Sequence, residues 1–407
     1  MSPENLEKRR IQQLPVDWRK NHDAIINSTI LTDIPEALNK WGCKRIVLVY
    51  SRGLDKGSEV VKDLRKKLGS LIVAEKAGVG SHSPYDDVID IAHMLSHNDA
   101  DCLISVGSSS YSDACKIARL MHSTLPADFG AEDMEKLVDQ EKGVASGLKA
   151  PTVKLILVPT SLSASEWNQT SSATNAEKKK QHFGIQQGAA DLILLDPEVA
   201  STSPRKLWLS SGVRAVDHCV ETICNPEAHE EVNKHMEEAL KTLLKGLKEY
   251  KEGEDNQSRA ELLEGVSECQ VGARQAMMGL LLWKIPMGAS HAIGHQLGSV
   301  GGVMHGVTSC IMLSPVLRYM KDKQARSQEI VLKVFNETLG WKETEAADAV
   351  AKFVKFLGLP NRLSEVDIKD ESQFQEIAEK TMTDVFGKSG LRLDSKEKVM
   401  EILNMAK

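Results

Sequence analysis

The residues of this chain whose types and spacing could do chemistry are a group of histidines. The stretch Met287–Gly306 reads MGASHAIGHQLGSVGGVMHG. His291 and His295 are four apart, so a helix puts them on one face. The pair Gly301-Gly302 then breaks that helix and His305 opens the next segment, so a helix–turn–helix can return it towards the same face. Upstream, His218 lies in GVRAVDHCVE, a helical pattern. Imidazoles at this spacing are common metal ligands, and histidine is the natural proton carrier near neutral pH. A lone histidine on an apolar helix is ordinarily a hydrogen-bonded core residue. Three within fifteen positions, in a chain that has twelve in all, read as a site.

A second set of residues suits a nucleotide. Ile104–Lys116 reads ISVGSSSYSDACK: a buried strand, a small-residue turn, then a helix start. Such a turn lets backbone N–H groups approach a pyrophosphate while the helix dipole favours its charge. Gly107 supplies the tight turn, and Ser108, Ser109 and Ser110 add hydroxyl donors. The same residues also suit an ordinary serine-capped turn. Val158–Glu166 reads VPTSLSASE, again a strand followed by a loop of small hydroxyl residues, among them Thr160, Ser161 and Ser163. Two such loops, each directly after a buried strand, favour a dinucleotide cleft over two solvated loops. The first strand ends in Tyr50-Ser51-Arg52, with Lys56 four residues on. Ser51, Arg52 and Lys56 stand where many dinucleotide sites carry an acidic residue for the ribose. Hydroxyl and basic side chains there tolerate a 2′-phosphate, which leans the cofactor from NADH towards NADPH, although a solvated basic loop reads almost as well.

These residues need elements to hold them. Short apolar runs rich in β-branched residues occur at Arg45–Tyr50, Leu71–Ala74, Asp101–Val106, Val153–Pro159 and Leu192–Leu195. Runs apolar on both faces suit strands of a parallel sheet, and helical patterns such as Ser58–Leu68 and Asp86–Ser96 lie between them. The charged segment Ala127–Gly147 reads as an insertion or surface helix. After Asp196-Pro197 helical periodicity takes over, at Glu230–Lys251, Ala260–Trp283, Glu343–Leu357 and Ser395–Met405. The expected fold is therefore α/β plus all-α: a Rossmann-like open parallel sheet over 1–203, binding the dinucleotide, then a helical bundle over 204–407 with the substrate site. The first forty residues carry no readable motif and suggest a docking arm.

Length and charge bound the rest. A chain of 407 residues exceeds one comfortable core, so two domains are expected. A net charge of −6 argues against nucleic acid or an anionic membrane, and no run of 18 apolar residues offers a membrane span. The N-terminus lacks the apolar core of a signal peptide. Seven scattered cysteines without paired zinc spacing suit a reducing compartment, hence a cytoplasmic protein.

With these motifs in place, the chain resembles the iron-containing (group III) alcohol dehydrogenase superfamily, and within it the maleylacetate reductases, over roughly residues 42–330. The family's GGGSxxD turn matches Gly107 to Asp113 with two glycines replaced by serine, and its threonine-rich loop matches Pro159 to Glu166. Its HxxxH with a third histidine ten further on matches His291, His295 and His305 in full. The resemblance implies an NAD(P)H-dependent oxidoreductase with its active site in the cleft between the two domains, working on a small molecule as at least a homodimer. In metal-dependent members the outer histidines ligate Fe or Zn, the middle one lies near the substrate, and an Asp ligand stands four residues before a first His ligand.

Here the chain departs from the family. His218 is present, but the residue four before it is Arg214. At about 5 Å and an effective dielectric of about 20, a divalent ion and a guanidinium repel by roughly 6–7 kcal/mol. Asp217, beside His218, should point to another helix face and could pair with Arg214 at i,i+3. A guanidinium suits a substrate carboxylate, and the resemblance to maleylacetate reductases implies a carboxylated enone reduced without metal. The expected roles are then Arg214 and the histidines stabilising developing charge and His295 donating the proton. Arg214 also suits a structural ion pair. Three other readings remain: a metal-dependent alcohol or aldehyde dehydrogenase with His218, His291 and His305 as ligands, a lyase resembling dehydroquinate synthase, and a dinucleotide-binding protein without catalysis.

Overall fold

The computed structural model describes residues 9–11, 24–384 and 393–407. They divide into two compact units, Met1–Ser203 and Pro204–Lys407.

The first unit is organised by a seven-stranded sheet. Its strands are β1 (Arg10–Ile11), β2 (Ala24–Ile26), β3 (Ile46–Tyr50), β4 (Ile72–Ala77), β5 (Cys102–Gly107), β8 (Lys154–Pro159) and β11 (Leu192–Leu195), in the order β1-β2-β11-β8-β5-β3-β4. All neighbours are parallel except β1 and β2. β3, β5, β8 and β11 fall on apolar runs of the sequence, as buried parallel strands should, and β4, which overlaps the run Leu71–Ala74, is a half-buried edge strand. Helices α1 (Ile30–Trp41), α2 (Arg52–Gly57), α3 (Val60–Leu68), α4 (Tyr85–His97) and α5 (Ser109–Thr124) follow or link them. On one face Ile34, Leu38, Val61 and Leu64 pack against Ile46, Leu48, Ile104 and Leu194.

Two expectations change. The first forty residues are not simply an arm, because β2 inserts into the sheet beside β11 and α1 caps that edge through the backbone N–H of Ile30, which donates to Asp196 (2.9 Å). The remainder of that arm, at 1–8 and 12–23, lies outside the described residues. The segment read as an insertion or surface helix holds only the short α6 (Ala131–Leu137). It continues into β6 (Val138–Asp139) and β7 (Val144–Ala145) of a second sheet, ordered β6-β7-β10-β9 with β9 at Thr170–Thr174 and β10 at Lys180–Gly184. β9 and β10 are polar strands, TSSAT and KQHFG, with none of the apolar signal of the main sheet. A short helix α7 (Pro197–Ala200) ends the unit, with Asp196 accepting from the N–H groups of Glu198 and Val199.

The second unit is helical: α8 (Arg205–Ile223), α9 (Glu230–Asp255), α10 (Arg259–Leu281), α11 (Ala289–Gly301), α12 (His305–Met320), α13 (Ala325–Leu339), α14 (Ala346–Phe356), α15 (Glu371–Thr381) and α16 (Lys396–Met405). α9 shows why: Val232, Met236, Ala239, Leu240, Leu243, Leu244 and Leu247 recur at three and four and are all buried. Between α11 and α12, Gly302 takes φ 64°, a left-handed cap that a side chain would strain, and its N–H donates to the carbonyl of Gly298. That turn sets His305 at the first position of α12. Ile293 and Leu297 of α11, Ile311 of α12, and Phe374, Ile377 and Ala378 of α15 share one apolar cluster. Among the described residues no helix is long and apolar enough to cross a membrane.

Candidate active site

α8 carries Arg214, Asp217, His218 and Glu221 at relative positions 0, 3, 4 and 7, a single buried stripe. Glu221 sits under the start of α11. Its carboxylate accepts the backbone N–H of Gly288 (2.7 Å) and of Ser290 (2.7 Å), and the ring N–H of His291 at Nδ1 (2.7 Å). A carboxylate at a helix N-terminus satisfies amides that have no intrahelical acceptor. Asp217 accepts from the Ser290 hydroxyl (2.7 Å) and lies 3.4 Å from His291 Nδ1. Asp217 therefore faces α11, not away from it, and no ion pair joins it to Arg214. The helical wheel places Asp217 beside His218 but does not say which neighbour covers that side.

The histidines separate into two stacked pairs. The His218 ring lies on His291, with centroids 4.8 Å apart and planes 25° apart. His295 and His305 stack at 6.0 Å and 10°. His295 Nδ1 donates to Asp384 Oδ2 (3.0 Å), which also accepts from Gln296 Nε2 (3.0 Å). Arg214 is 3% exposed, and its Nη1 makes two long contacts, to the hydroxyls of Thr308 (3.5 Å) and Ser309 (3.3 Å) at the start of α12. Among the described residues no carboxylate is within ion-pair distance of it.

Burial governs the charges. It pulls Arg214 down to about 10, against the opposing charges of Asp217, Glu221 and Asp384, so the guanidinium keeps its proton at neutral pH. Burial, then the neighbouring positive charges, hold His218 and His291 well below the usual histidine range and hence neutral. Burial pushes Glu221 up to about 7, and Asp217 well above the carboxylate range with Glu221's charge adding to the rise. Of this coupled pair Glu221 is the ionised member, because three N–H groups converge on it.

A divalent cation fits these residues poorly. Asp217, Glu221 and His291 are the one group of three, among the described residues, whose ligating atoms lie within 4.8 Å of one another. Glu221 and His291 Nδ1 already satisfy each other and the α11 amides. Arg214 adds a fixed positive charge where the resemblance implies an Asp ligand. His305 lies with His295, not in a compact trio with His218 and His291.

In the first unit the two small-residue loops meet. The backbone N–H of Thr160 donates to the Gly107 carbonyl (3.0 Å), the Ser109 and Ser161 hydroxyls are 3.4 Å apart, and the Ser165 hydroxyl donates to the Ser109 carbonyl (3.3 Å). A Cβ at Gly107 would lie 2.5 Å from the Tyr111 ring, so only glycine lets α5 start this close to β5. Ser108 is the cap residue of α5, and Ser163 is half-buried in the second loop. Asp113 pairs with Lys116 (3.4 Å), whose buried ammonium also donates to the carbonyls of Ser165 and Asn168 (3.0 Å). Ser51, at the end of β3, receives the chain into α2. Arg52 folds back so that Nε donates to the Ala77 carbonyl (2.9 Å), while Lys56 is exposed.

Sequence reasoning passed over Glu221, Lys116 and Asp384. Glu221 was findable, four residues after Asp217 and seven after Arg214 on one helix. Lys116 closes the motif that contains Gly107 and Asp113. Asp384, 89 residues from His295, had no local signal.

Comparison with known proteins adds the kinship. The profile described as iron-containing alcohol dehydrogenase matches residues 21–197, and that described as Fe-containing alcohol dehydrogenase family, C-terminal, matches 208–407. The chain is 34% identical over 403 residues to Dehydrogenase ALT3 of Alternaria alternata, covering 90% of this chain and 100% of that one. It is 25% identical over 286 residues to Maleylacetate reductase 1 of Rhodococcus opacus, covering 70% and 68%. In fold it is similar to a sulfoacetaldehyde reductase from Bifidobacterium kashiwanohense solved in complex with NAD+ (TM-score 0.78, 16% identity, 94% and 96% covered).

Proposed function

The chain belongs to the iron-containing alcohol dehydrogenase family of oxidoreductases, and from that premise we propose that it uses NAD(P)H to reduce a carbonyl or conjugated enone that carries a carboxylate, without a resident metal. The observation that carries the proposal is Arg214. A buried guanidinium whose own contacts are two long ones to hydroxyls leaves N–H donors for an anion, and a planar carboxylate matches its geometry. The hydrogen bonds that already occupy Glu221 and His291 Nδ1, and the maleylacetate reductase among the relatives, support the same reading.

The small-residue loops at Gly107–Ser109 and Thr160–Ser163, with Asp113 held by Lys116, are the assigned dinucleotide contacts. Arg52 and Lys56 lean the choice towards NADPH. When bound, the reduced nicotinamide supplies a hydride to the electrophilic carbon. Arg214 stabilises the negative charge that then develops, His218 and His291 line the site as neutral rings, and His295 delivers the proton, with His305 stacked against it. The proposal includes a cytoplasmic homodimer. All seven cysteines are free and buried, as a reducing compartment permits.

A metal-dependent dehydrogenase is the second reading. It is favoured by two observations: the buried Nδ1 of His218 has no hydrogen-bond partner among the described residues, and the ligating atoms of Asp217, Glu221 and His291 lie within 4.8 Å of one another.

The test compares substrate pairs that differ only as free acid and methyl ester, with NADPH and NADH in parallel. The wild type should favour the acid in kcat/KM by about 10- to 100-fold, the worth of one charge-assisted contact. Arg214→Ala should erase that preference and Arg214→Lys should restore it only in part. Equal kcat/KM for acid and ester in the wild type would sink the proposal.

A further inference from the structure

We infer that Asp384 is the positioning residue of the proton donor: it fixes the tautomer and orientation of His295 so that Nε2 is the nitrogen that exchanges a proton with substrate. This rests on the role proposed for His295 and goes beyond it, because it assigns work to a residue in another part of the chain.

Three features of the geometry support the assignment. Asp384 Oδ2 receives N–H groups from two consecutive residues of α11, His295 Nδ1 (3.0 Å) and Gln296 Nε2 (3.0 Å), so the carboxylate is gripped as well as gripping. The pair is shielded but not sealed, with the His295 side chain 21% exposed and that of Asp384 10% exposed. A proton donor needs such an access, whereas a purely structural ion pair is indifferent to it. Finally, the separation between the two partners is fixed by packing. Asp384 sits in the turn after α15, its N–H donating to the Thr381 carbonyl (3.1 Å), and Phe374, Ile377 and Ala378 of α15 are in one apolar cluster with Ile293 and Leu297 of α11.

The chemistry follows from the tautomer. As an imidazolium, His295 holds one N–H towards Asp384 and one at Nε2. Hydride adds to the substrate carbon, the π electron pair moves to oxygen, and the Nε2 proton goes to that oxygen. The ring left behind is the neutral Nδ1–H tautomer, which Asp384 already accepts, so no ring flip is needed before water returns a proton to Nε2. Stacking on His305 keeps the ring plane through the cycle. The Asp384 charge is also felt at Arg214, where it opposes the effect of burial on the guanidinium.

The test is a double-mutant cycle on the full-length protein, read as NAD(P)H oxidation with the preferred acid substrate. Asp384→Asn removes the charge while keeping a group of the same shape. It should lower kcat about 10- to 100-fold with KM within about 2-fold, and Asp384→Glu should recover part of the loss. In the His295→Ala background Asp384→Asn should have no further effect, because its action runs through the missing ring. Thermal midpoints of the single variants are compared with the wild type, so that loss of fold is not read as loss of function. If His295→Ala lowers kcat but Asp384→Asn leaves it within about 2-fold, the positioning role is wrong and the proton donor stands. If the two losses multiply, Asp384 acts by another route and the inference fails. If His295→Ala keeps full activity, the proton-donor reading fails and the inference with it.

Discussion

Two buried glutamates, one in each unit, are pushed by burial up to about 7, and their surroundings could hardly differ more. Glu166, in the second small-residue loop of the first unit, has a backbone hydrogen bond of its own and the charge of Lys116 nearby. Lys116 directs its ammonium to the carbonyls of Ser165 and Asn168 in that same loop. Glu221 holds two amides at the start of α11 and the ring of His291 at once. The same displacement from the ordinary carboxylate range thus accompanies a buried loop carboxyl beside Lys116 in one place and a carboxylate that holds the His291 ring in the other. A perturbed carboxyl becomes informative only when its partners are named.

Substituting each glutamate separates the two cases. The larger effect is expected at Glu221. Glu221→Gln turns an amide NH₂ towards N–H groups that need an acceptor, leaving at least one buried donor unmet. It should cost about 3 kcal/mol or more of stability in chemical denaturation and at least about 100-fold in kcat. Full activity in this variant would show that His291 needs no support.

The smaller effect is at Glu166 and depends on pH. Its carboxyl keeps its proton to about 7 in the folded protein, against an ordinary value of 4.5. As pH rises above about 4.5 the unfolded chain releases this proton while the folded one retains it, so this group lowers stability through that window and levels off above about 7. The whole span is worth at most about 3 kcal/mol. Glu166→Gln should match the wild type near pH 4.5 and gain up to that amount by pH 8, followed by denaturation with intrinsic tryptophan fluorescence. A gain that shrinks as pH rises would reverse the sign and contradict the burial argument.

The two regions also differ in how much their sequence reveals. β3, β5 and β8 are apolar on both faces, so IVLVY, CLISVG and KLILVP announce buried parallel strands. β9 and β10 lie in a small sheet with alternating burial and polar side chains, and look like loop. In the helical unit the interval of His291, His295 and Gly302 states a helix, its stop and the next start. Arg214 could be singled out by its four-residue offset from His218. What a linear reading misses is tertiary. Asp217 turns towards α11 because of where α11 packs, and Asp384 reaches His295 through a helix far along the chain. Pairing of His295 with His305 and of His218 with His291 likewise follows from helix packing, not from spacing.

We propose that Arg214 turns a metal position of the family into a carboxylate-binding one. The most direct test is turnover of a carboxylated substrate by the full-length protein after exhaustive chelation, with metal content measured by elemental analysis on the same sample. Unchanged kcat with substoichiometric metal is the expected result. Activity that disappears on chelation and returns with Fe(II) or Zn(II) would contradict it.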